Sequence, residues 1–444
     1  MSVLTATPAT SVPSPGRLKL ALLLVLHIAG VCLTLVYVAQ YYGTYGIFRY
    51  DPALVLPAVL LIIPLALFSL VFVVAEFSFG YFVGFLLYTM ALGFVWLTKF
   101  SLLDYDHSPA GISADVSAVA FLVPALFVTA PIKQWFVLSP TALDRLMSLI
   151  LILAAGMIAV GVFYNFRLVN VTDIYNFRFQ LNFPGPLRYA IGIFDNALLP
   201  FVFAFCLARR SPWRAAAALL LMLSLYPITL TKGALFGPFW LLFLALLAGL
   251  FETRMAVVLA LLPAMAFGLV LVLLQKFDAL SDPHLRDYFG IVNFRMIAMP
   301  AIALDLYNDF FAKHELTYFC QIGVLKQFIS CPYSDWLVIV MSKAYQFGYL
   351  NASLFATEGI ASLGPKFAPL SVFVCGLIIA IANRLSAGLP ATFVLLSGGM
   401  VARILLDVPL ATTLLSNGAA LLFLLWYVTP REMFAREPAR PTAG

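Results

Sequence analysis

The chain has 444 residues, of which 63% are hydrophobic and only 10% are charged, and its mean hydropathy is +1.01. Because a soluble core does not need so apolar a composition, these values exclude an ordinary soluble protein. The net charge is +6, but the sequence contains no long run of lysine or arginine that would indicate nucleic-acid binding.

Runs of apolar residues recur from end to end of the chain. At about 1.5 Å rise per residue, each run can cross a hydrocarbon layer of about 30 Å as a helix, whereas barrel strands would alternate in polarity. We therefore predict an all-α polytopic membrane bundle of about twelve helices. The predicted spans are 18–40, 53–75, 77–99, 117–138, 147–164, 188–208, 215–229, 233–251, 256–274, 359–382, 388–407 and 410–428.

The other segments are arranged around these spans. Residues 1–17 are predicted to be a disordered cytoplasmic tail, followed by a first span that is too long for a cleaved signal peptide. Residues 18–274 hold the first nine spans and residues 359–428 hold the last three. Between them, residues 275–358 form a large outer loop with amphipathic helices, and residues 429–444 form a second cytoplasmic tail.

Basic residues concentrate in one set of connections, such as RRSPWR at 209–214 and ETR at 252–254. Since positive residues are retained on the cytoplasmic side of a membrane, both termini are predicted to be cytoplasmic. These short turns leave little room for a nucleotide-handling domain. We therefore expect any chemistry to face outward, toward the periplasm if the membrane is the inner membrane of a bacterium.

The outer loop contains NFRMIAMPAIALDLYNDFF, residues 293–311. Pro300 can open a helix, on which Asp305, Asn308 and Asp309 would share an arc of about 100°. Apolar residues cover the other side. We expect an amphipathic helix along the outer membrane face, with its polar side toward a water-filled cavity and its apolar side toward lipid or the bundle.

Two of the five cysteines, Cys320 and Cys331, share the outer loop. Disulfides form in oxidising compartments, so a bond between these two residues is a hypothesis that depends on the loop facing the periplasm.

Arginines on the outer side are unexpected, because positive charge is disfavoured there. Several guanidinium groups converging on one cavity would suit a polyprenyl diphosphate, although each could instead be solvated or paired with a carboxylate. Arg403 has Asp407 at i+4, a spacing that could simply neutralise it. The arginines on this side are Arg49, Arg167, Arg178, Arg188, Arg286, Arg295 and Arg403.

Lys232, in TLTKGA, lies at the outer end of a hairpin between two spans. Its ammonium group can extend to the lipid headgroups, or it can hold a phosphate of a lipid-linked substrate.

Four residues are candidate acids or bases: Asp51, Asp195, His314 and Glu358. Asp195 lies within a predicted membrane helix, where a charge is costly and therefore indicates function. Glu358 opens a span, and it could be either a helix N-terminal acid or a carboxylate that faces the cavity. With four scattered histidines and no HExxH or CxxC motif, we expect no metal site.

The order of these features resembles the Wzy-type O-antigen or oligosaccharide repeat-unit polymerases of bacterial inner membranes. The shared pattern is about a dozen spans, a very large outer loop late in the chain, an arginine-led helix in that loop, and the segment NASLFATEGIASLG before the next span. As residue pattern, the resemblance is limited to the outer loop and the start of the following span.

The resemblance implies a GT-C-like fold and a reaction that needs neither nucleotide nor metal. In that reaction a glycan passes from undecaprenyl diphosphate to the sugar of an incoming lipid-linked repeat unit, with a chain-length regulator as a possible protein partner. Arg295 would then bind the diphosphate, and Glu358 or a neighbour would orient the attacking hydroxyl. Members of this family often have arginine where this chain has Lys232, which cannot reproduce bidentate phosphate binding.

Two other functions are compatible with the sequence. A GT-C transferase could use a polyprenyl monophosphate sugar, with Asp51 as base. A transporter or flippase could use Asp195, Arg403 and Asp407 as a charged pathway, although the large outer loop and the absence of a visible repeat favour an enzyme.

Overall fold

The computed structural model describes residues 15–43, 46–170, 173–178, 180–277, 284–323, 325–348 and 353–434. Within these ranges the chain is helical, without strands, and a single isolated bridge joins Phe48 to Ser101. The prediction of an all-α polytopic bundle is confirmed. The predicted tails at 1–17 and 429–444 fall mostly outside the described residues, although the first helix already includes residues 15–17.

The α-helices of the first half are α1 (Pro15–Tyr41), α2 (Val55–Phe68), α3 (Val71–Val74), α4 (Phe79–Leu97), α5 (His107–Phe127), α6 (Pro140–Tyr164), α7 (Ile174–Arg178), α8 (Gly185–Ile193), α9 (Leu199–Ala208), α10 (Pro212–Ser224) and α11 (Tyr226–Thr229). Those of the second half are α12 (Lys232–Leu250), α13 (Thr253–Leu259), α14 (Leu262–Lys276), α15 (His284–Phe289), α16 (Met299–Lys313), α17 (Leu337–Tyr345), α18 (Ser362–Ser386), α19 (Ala391–Ile404), α20 (Leu410–Leu415) and α21 (Ala419–Val428). Three π-helical segments join neighbouring helices: π1 (Phe194–Leu198), π2 (Gly290–Ala298) and π3 (Phe355–Ala361).

Ten helical stretches of the described chain are long and apolar enough to cross a membrane, so this is a multi-pass membrane protein. Nine of them match predicted spans, one with shifted bounds. Two further predicted spans correspond to the shorter apolar helices α19 and α21. The predicted span at 215–229 is broken into α10 and α11.

The bounds predicted for the fourth span, 117–138, were wrong. Helix α5 begins ten residues earlier, after Asp106, whose carboxylate accepts a hydrogen bond from the backbone N–H of Ser108. It ends at Phe127. The segment from 128 to 139 is extended and pairs with other backbone: the N–H of Ile132 donates to the carbonyl of Arg384. The first turns of α5 contain polar residues, so the apolar pattern of the sequence did not indicate where this helix begins.

Helix α4 lies at the centre of the bundle. All of its residues are buried, which is the expected position for a helix that is apolar on every side. Asn383 of α18 connects it to α5. The Asn383 Oδ1 accepts the Gly80 N–H at 2.6 Å, and its Nδ2 donates to the Ala125 carbonyl at 2.7 Å. One buried amide therefore joins three helices.

One face of the bundle collects the ends of several helices, and we call it the loop face. The Arg49 N–H, after α1, donates to the carbonyl of Phe100, after α4, at 2.8 Å. The Lys276 ammonium, at the end of α14, lies 5.7 Å from the centre of the Tyr37 ring near the end of α1. These contacts place the ends of α1, α4 and α14 together.

The continuous helix formed by α15, π2 and α16 begins and ends near the loop face. Near its start, the Arg286 Nε donates to the Gln275 Oε1 at 3.0 Å. Near its end, Asp305 accepts a bond from Ser101, which follows α4. Residues 286–313 are long and apolar enough to cross a membrane. Between the two ends, the Asn293 Nδ2 donates to the carbonyl of Met265, so π2 packs against α14 away from the loop face.

The prediction that this helix turns a polar side toward a water-filled cavity was wrong. Every residue from 300 to 311 is buried, including Asp305, Asn308 and Asp309. Asp305 and Asp309 are hydrogen-bonded to protein groups. The amphipathic pattern was correct, but the bundle covers the polar side as well as the apolar side.

The Asn383 connection gives a test of the packing. We expect Asn383→Leu to lower the midpoint of thermal unfolding in detergent, because two buried backbone groups lose their partner at a cost of about 1–2 kcal/mol. Leu370→Ala, on the exposed side of the same helix, is the matched control and should leave the midpoint nearly unchanged. Equal midpoints for Asn383→Leu and the wild type would contradict this account.

Candidate functional site

Each of the three π-helical segments carries one charged residue that the sequence singled out. Asp195 lies in π1, Arg295 in π2 and Glu358 in π3. A π-helical turn places an extra residue in the helix, is rare, and occurs frequently at functional sites. All three segments therefore coincide with candidate residues, and we expect the site near them.

Three cations from distant parts of the chain converge here. Arg295 is close enough to Lys232 to act on it electrostatically. A Cβ placed on Gly233 would lie 3.0 Å from the Arg403 Nη2, so Arg403 reaches the start of α12. Asp407 lies within electrostatic range of both Arg295 and Arg403. We call Lys232, Arg295 and Arg403 the cation cluster.

Local sequence explains why Lys232 occupies this position. Leu230 ends α11 in the left-handed conformation, with φ of 49°. The hydroxyl group of Thr231 then caps α12 by accepting the Ala234 N–H at 3.3 Å. The turn places Lys232 at the first position of α12, beside Gly233, where the absence of a side chain leaves space for Arg403.

Two carboxylates lie beside the cation cluster. Asp195 is only 8% exposed, lies within electrostatic range of Arg403, and its Oδ1 has no hydrogen-bond partner. Asp407 is exposed. The i+4 pairing expected between Arg403 and Asp407 is not formed, because α19 ends at Ile404 and Asp407 lies in the turn that follows.

Glu358 has a different environment. Its side chain is 6% exposed, and its Oε1 accepts the Ala411 N–H at 3.0 Å, at the beginning of α20. The Ser371 hydroxyl group donates to the Glu358 carbonyl at 2.6 Å and fixes the backbone. The Oε2 is buried without a hydrogen-bond partner. Glu358 is therefore held by one oxygen, while the other remains available as an acceptor.

Two of the other candidates, Arg49 and His314, contact other parts of the bundle, whereas Arg178 and Arg188 lie on helices that pack against Leu230 and Ala234, next to Lys232. Arg49 is exposed beside the connection between α4 and α5, and Arg178 and Arg188 are exposed on α7 and α8. His314 follows the last residue of α16, roughly 28 Å along the helix axis from Arg295. Its ring stacks on Phe310 at 4.0 Å, and its Nδ1 contacts the Phe310 carbonyl at 2.8 Å.

Asp51, the base required by the monophosphate alternative, has a structural partner. Its side chain accepts the Ala53 N–H at 2.9 Å and caps the short helical turn Pro52–Leu54. The described residues include no group of three or more histidine, cysteine, aspartate or glutamate side chains that could hold a metal ion.

A second polar cluster escaped the sequence analysis. The Ser101 and Tyr105 hydroxyl groups donate to the two oxygens of Asp305 at 2.7 Å and 2.5 Å. Burial and the nearby Asp305 raise the pKa of Tyr105, so its hydroxyl group stays protonated and can donate. The signal in the sequence was a pair of aspartates at i and i+4 on an otherwise apolar helix.

Asp309 anchors the same helix to α17. The Tyr345 hydroxyl group donates to its Oδ2 at 2.6 Å, and the Lys313 ammonium binds its Oδ1 at 2.7 Å. Together with the bonds to Asp305, these contacts fix α16 at the loop face. The position of π2, and hence of Arg295, depends on them because π2 leads directly into α16.

We expect Tyr105→Phe to lower the thermal unfolding midpoint, because it leaves the buried Asp305 with a single donor at a cost of about 1–3 kcal/mol. Tyr164→Phe, at a half-exposed position, is the matched control. The two midpoints should differ by several degrees, and identical midpoints would show that the Asp305 bond does not stabilise α16.

Comparison of the chain with protein-family models, curated proteins and solved structures finds no match. The functional assignment therefore depends on the residues of the site and on the sequence resemblance.

Proposed function

We propose that this chain is a membrane glycosyltransferase that polymerises oligosaccharide repeat units carried on undecaprenyl diphosphate, to form O-antigen, capsular or exopolysaccharide. The observation that carries the proposal is the convergence of Lys232, Arg295 and Arg403, from three separate helices, in an apolar bundle. Grouped guanidinium and ammonium groups attract an anionic ligand, and the nearby carboxylates of Asp195 and Asp407 offset only part of their charge.

A lipid-linked diphosphate fits this cluster in both charge and position. Arginine binds phosphate bidentately, and lysine adds a compact point charge. A lipid carrier keeps the diphosphate at the membrane surface, the depth at which the ends of helices at the loop face lie. The GT-C-like fold implied by the sequence resemblance belongs to this proposal.

The reaction requires one bond to break and one to form. The bond between the anomeric carbon and the diphosphate oxygen breaks, and its electron pair leaves with the diphosphate. The acceptor hydroxyl oxygen bonds to the anomeric carbon, and its proton passes to the Glu358 Oε2. The cation cluster stabilises the charge that develops on the leaving diphosphate, a role that preorganised cations perform well in a restricted site.

We place the loop face outside the cytoplasm, toward the periplasm of a bacterial inner membrane. The opposite face carries a concentration of basic residues, including Arg254 and Arg431, as expected for a cytoplasmic side. Both termini would then be cytoplasmic. A chain-length regulator is the protein partner that this function implies.

The two alternatives differ in the residues that they require. A transferase with Asp51 as base gains no support, because Asp51 is an exposed capping residue. A flippase keeps some support, because Asp195 and Asp407 both lie within electrostatic range of Arg403 and could form a charged pathway. The surface glycan made by a deletion strain distinguishes an enzyme from a flippase.

The loop between α16 and α17 gives a test of the orientation. The structure joins Cys320 and Cys331 in a disulfide, with Cα atoms 5.3 Å apart. We expect the bond to form in cells, because an external loop is exposed to an oxidising compartment. Mass spectrometry after thiol alkylation without reductant should find neither residue labelled. Labelling of both would place this loop, and with it the loop face, on the cytoplasmic side.

The polymerase proposal is tested by gel analysis of surface glycan from a deletion strain complemented with variants. We expect Arg295→Ala to reduce polymer by a factor on the order of 100, because removal of one charge-stabilising group slows transfer by about that amount. The ladder should collapse to a single repeat unit. Arg49→Ala is the matched control, since Arg49 lies at the same face beside another connection.

Other glycan patterns would overturn this assignment. A normal ladder in cells with Arg295→Ala, at wild-type protein levels, would remove Arg295 from the site. Glycan of normal length that lacks a sugar would indicate a decorating transferase. Loss of all surface glycan on deletion, with lipid-linked units retained inside the cell, would indicate a flippase.

A further inference from the structure

The two buried carboxylates of the site differ in what surrounds them. Glu358 is held by the backbone N–H groups at the start of α20. Asp195, in contrast, lies within electrostatic range of a guanidinium group, that of Arg403. A backbone donor holds a carboxylate in place without a net charge, whereas a guanidinium group and a carboxylate offset each other's charge.

Asp195 has a fixed position. The neighbouring Asn196 donates from its Nδ2 to the Gly192 carbonyl at 2.9 Å and to the Asn417 Oδ1 at 3.3 Å. These bonds tie π1 to the turn before α21. They fix the backbone from which the Asp195 side chain extends.

Arg403 and Asp195 are close enough to interact electrostatically, but neither satisfies the other. The Oδ1 of Asp195 and the Nε of Arg403 are both buried without a hydrogen-bond partner, and no ion pair joins the two side chains. Buried polar atoms without partners are rare and require an explanation. This geometry is consistent with an Arg403 side chain that binds a ligand. The negative charge of Asp195 would then reduce the positive electrostatic potential at the position of that ligand.

We propose, on the basis of the proposed function, that Asp195 is a positioning and charge-balancing residue for Arg403, and that it sets how tightly the site holds the diphosphate. Asp195 is therefore not the base. After each transfer the undecaprenyl diphosphate that was the leaving group must dissociate before the next repeat unit can react, and the negative charge of Asp195 weakens its binding to Arg403.

This role predicts an unusual kinetic effect. When Asp195 loses its charge, Arg403 should hold the diphosphate more tightly, so both KM and kcat should fall as product release slows. Loss of a base would lower kcat and leave KM unchanged. A merely structural role would weaken binding, because a distorted site binds its ligand less well.

The direct test measures binding of undecaprenyl diphosphate to the purified full chain in nanodiscs. We expect Asp195→Asn to bind this probe more tightly than the wild type by a factor on the order of ten, the effect of removing one buried charge near the ligand. Asp115→Asn is the matched control, because Asp115 is a partly buried membrane-helix carboxylate that also has an oxygen without a partner. It should bind the probe like the wild type.

A double-mutant cycle determines whether Asp195 acts through Arg403. Arg403→Gln alone should bind undecaprenyl diphosphate more weakly than the wild type. In that background, Asp195→Asn should produce no further change. A tenfold gain that persists without Arg403 would overturn the proposed coupling, although Asp195 would still repel the ligand.

Failure of this inference is distinguishable from failure of the proposed function. If the wild type binds undecaprenyl diphosphate and Asp195→Asn binds it equally or more weakly, the charge-balancing role is wrong and the site remains. If the wild type does not bind the probe at all, the site itself is not a diphosphate site, and both proposals fail.

Discussion

Buried charge is the constraint on which the arrangement of this bundle depends. In an apolar environment a charged group must be offset by a counter-charge or by hydrogen bonds, or it destabilises the fold. Asp305 meets this requirement with the Ser101 and Tyr105 hydroxyl groups, and Asp309 meets it with Lys313 and Tyr345. These bonds hold α16 against the connection after α4 and against α17.

The position of α16 determines the geometry of the site. Because π2 continues directly into α16, the bonds that fix α16 also fix π2. This places Arg295, in π2, near Lys232. The contrast between the two polar clusters is informative. The aspartates of α16 are saturated by protein donors, as expected for a structural network. In the site, Asp195, Glu358 and Arg403 each keep a buried atom without a partner, a feature that Asn308 of α16 shares.

The π-helical segments offer a physical reason why the site lies where it does. An inserted residue disturbs the regular hydrogen bonding of a helix and is retained only where the surroundings stabilise it. In each segment the insertion accompanies a charged side chain in an apolar helix. Asp195 and Glu358 are buried in their segments, whereas the Arg295 side chain is exposed, and the fully buried α4 stabilises the centre of the bundle.

The sequence by itself determined the all-α membrane architecture, because runs of apolar residues long enough to cross lipid leave no other fold for the backbone. It also identified Asp195 as a charge that is costly in a membrane helix, and Arg295 and Glu358 as candidate residues on the outer side. Composition could not reveal that α5 begins in a polar stretch, or that Asp305 is covered by Tyr105 from a loop. Only the tertiary structure decided which charges meet, because the partners lie far apart in the chain and helix packing alone brings them together.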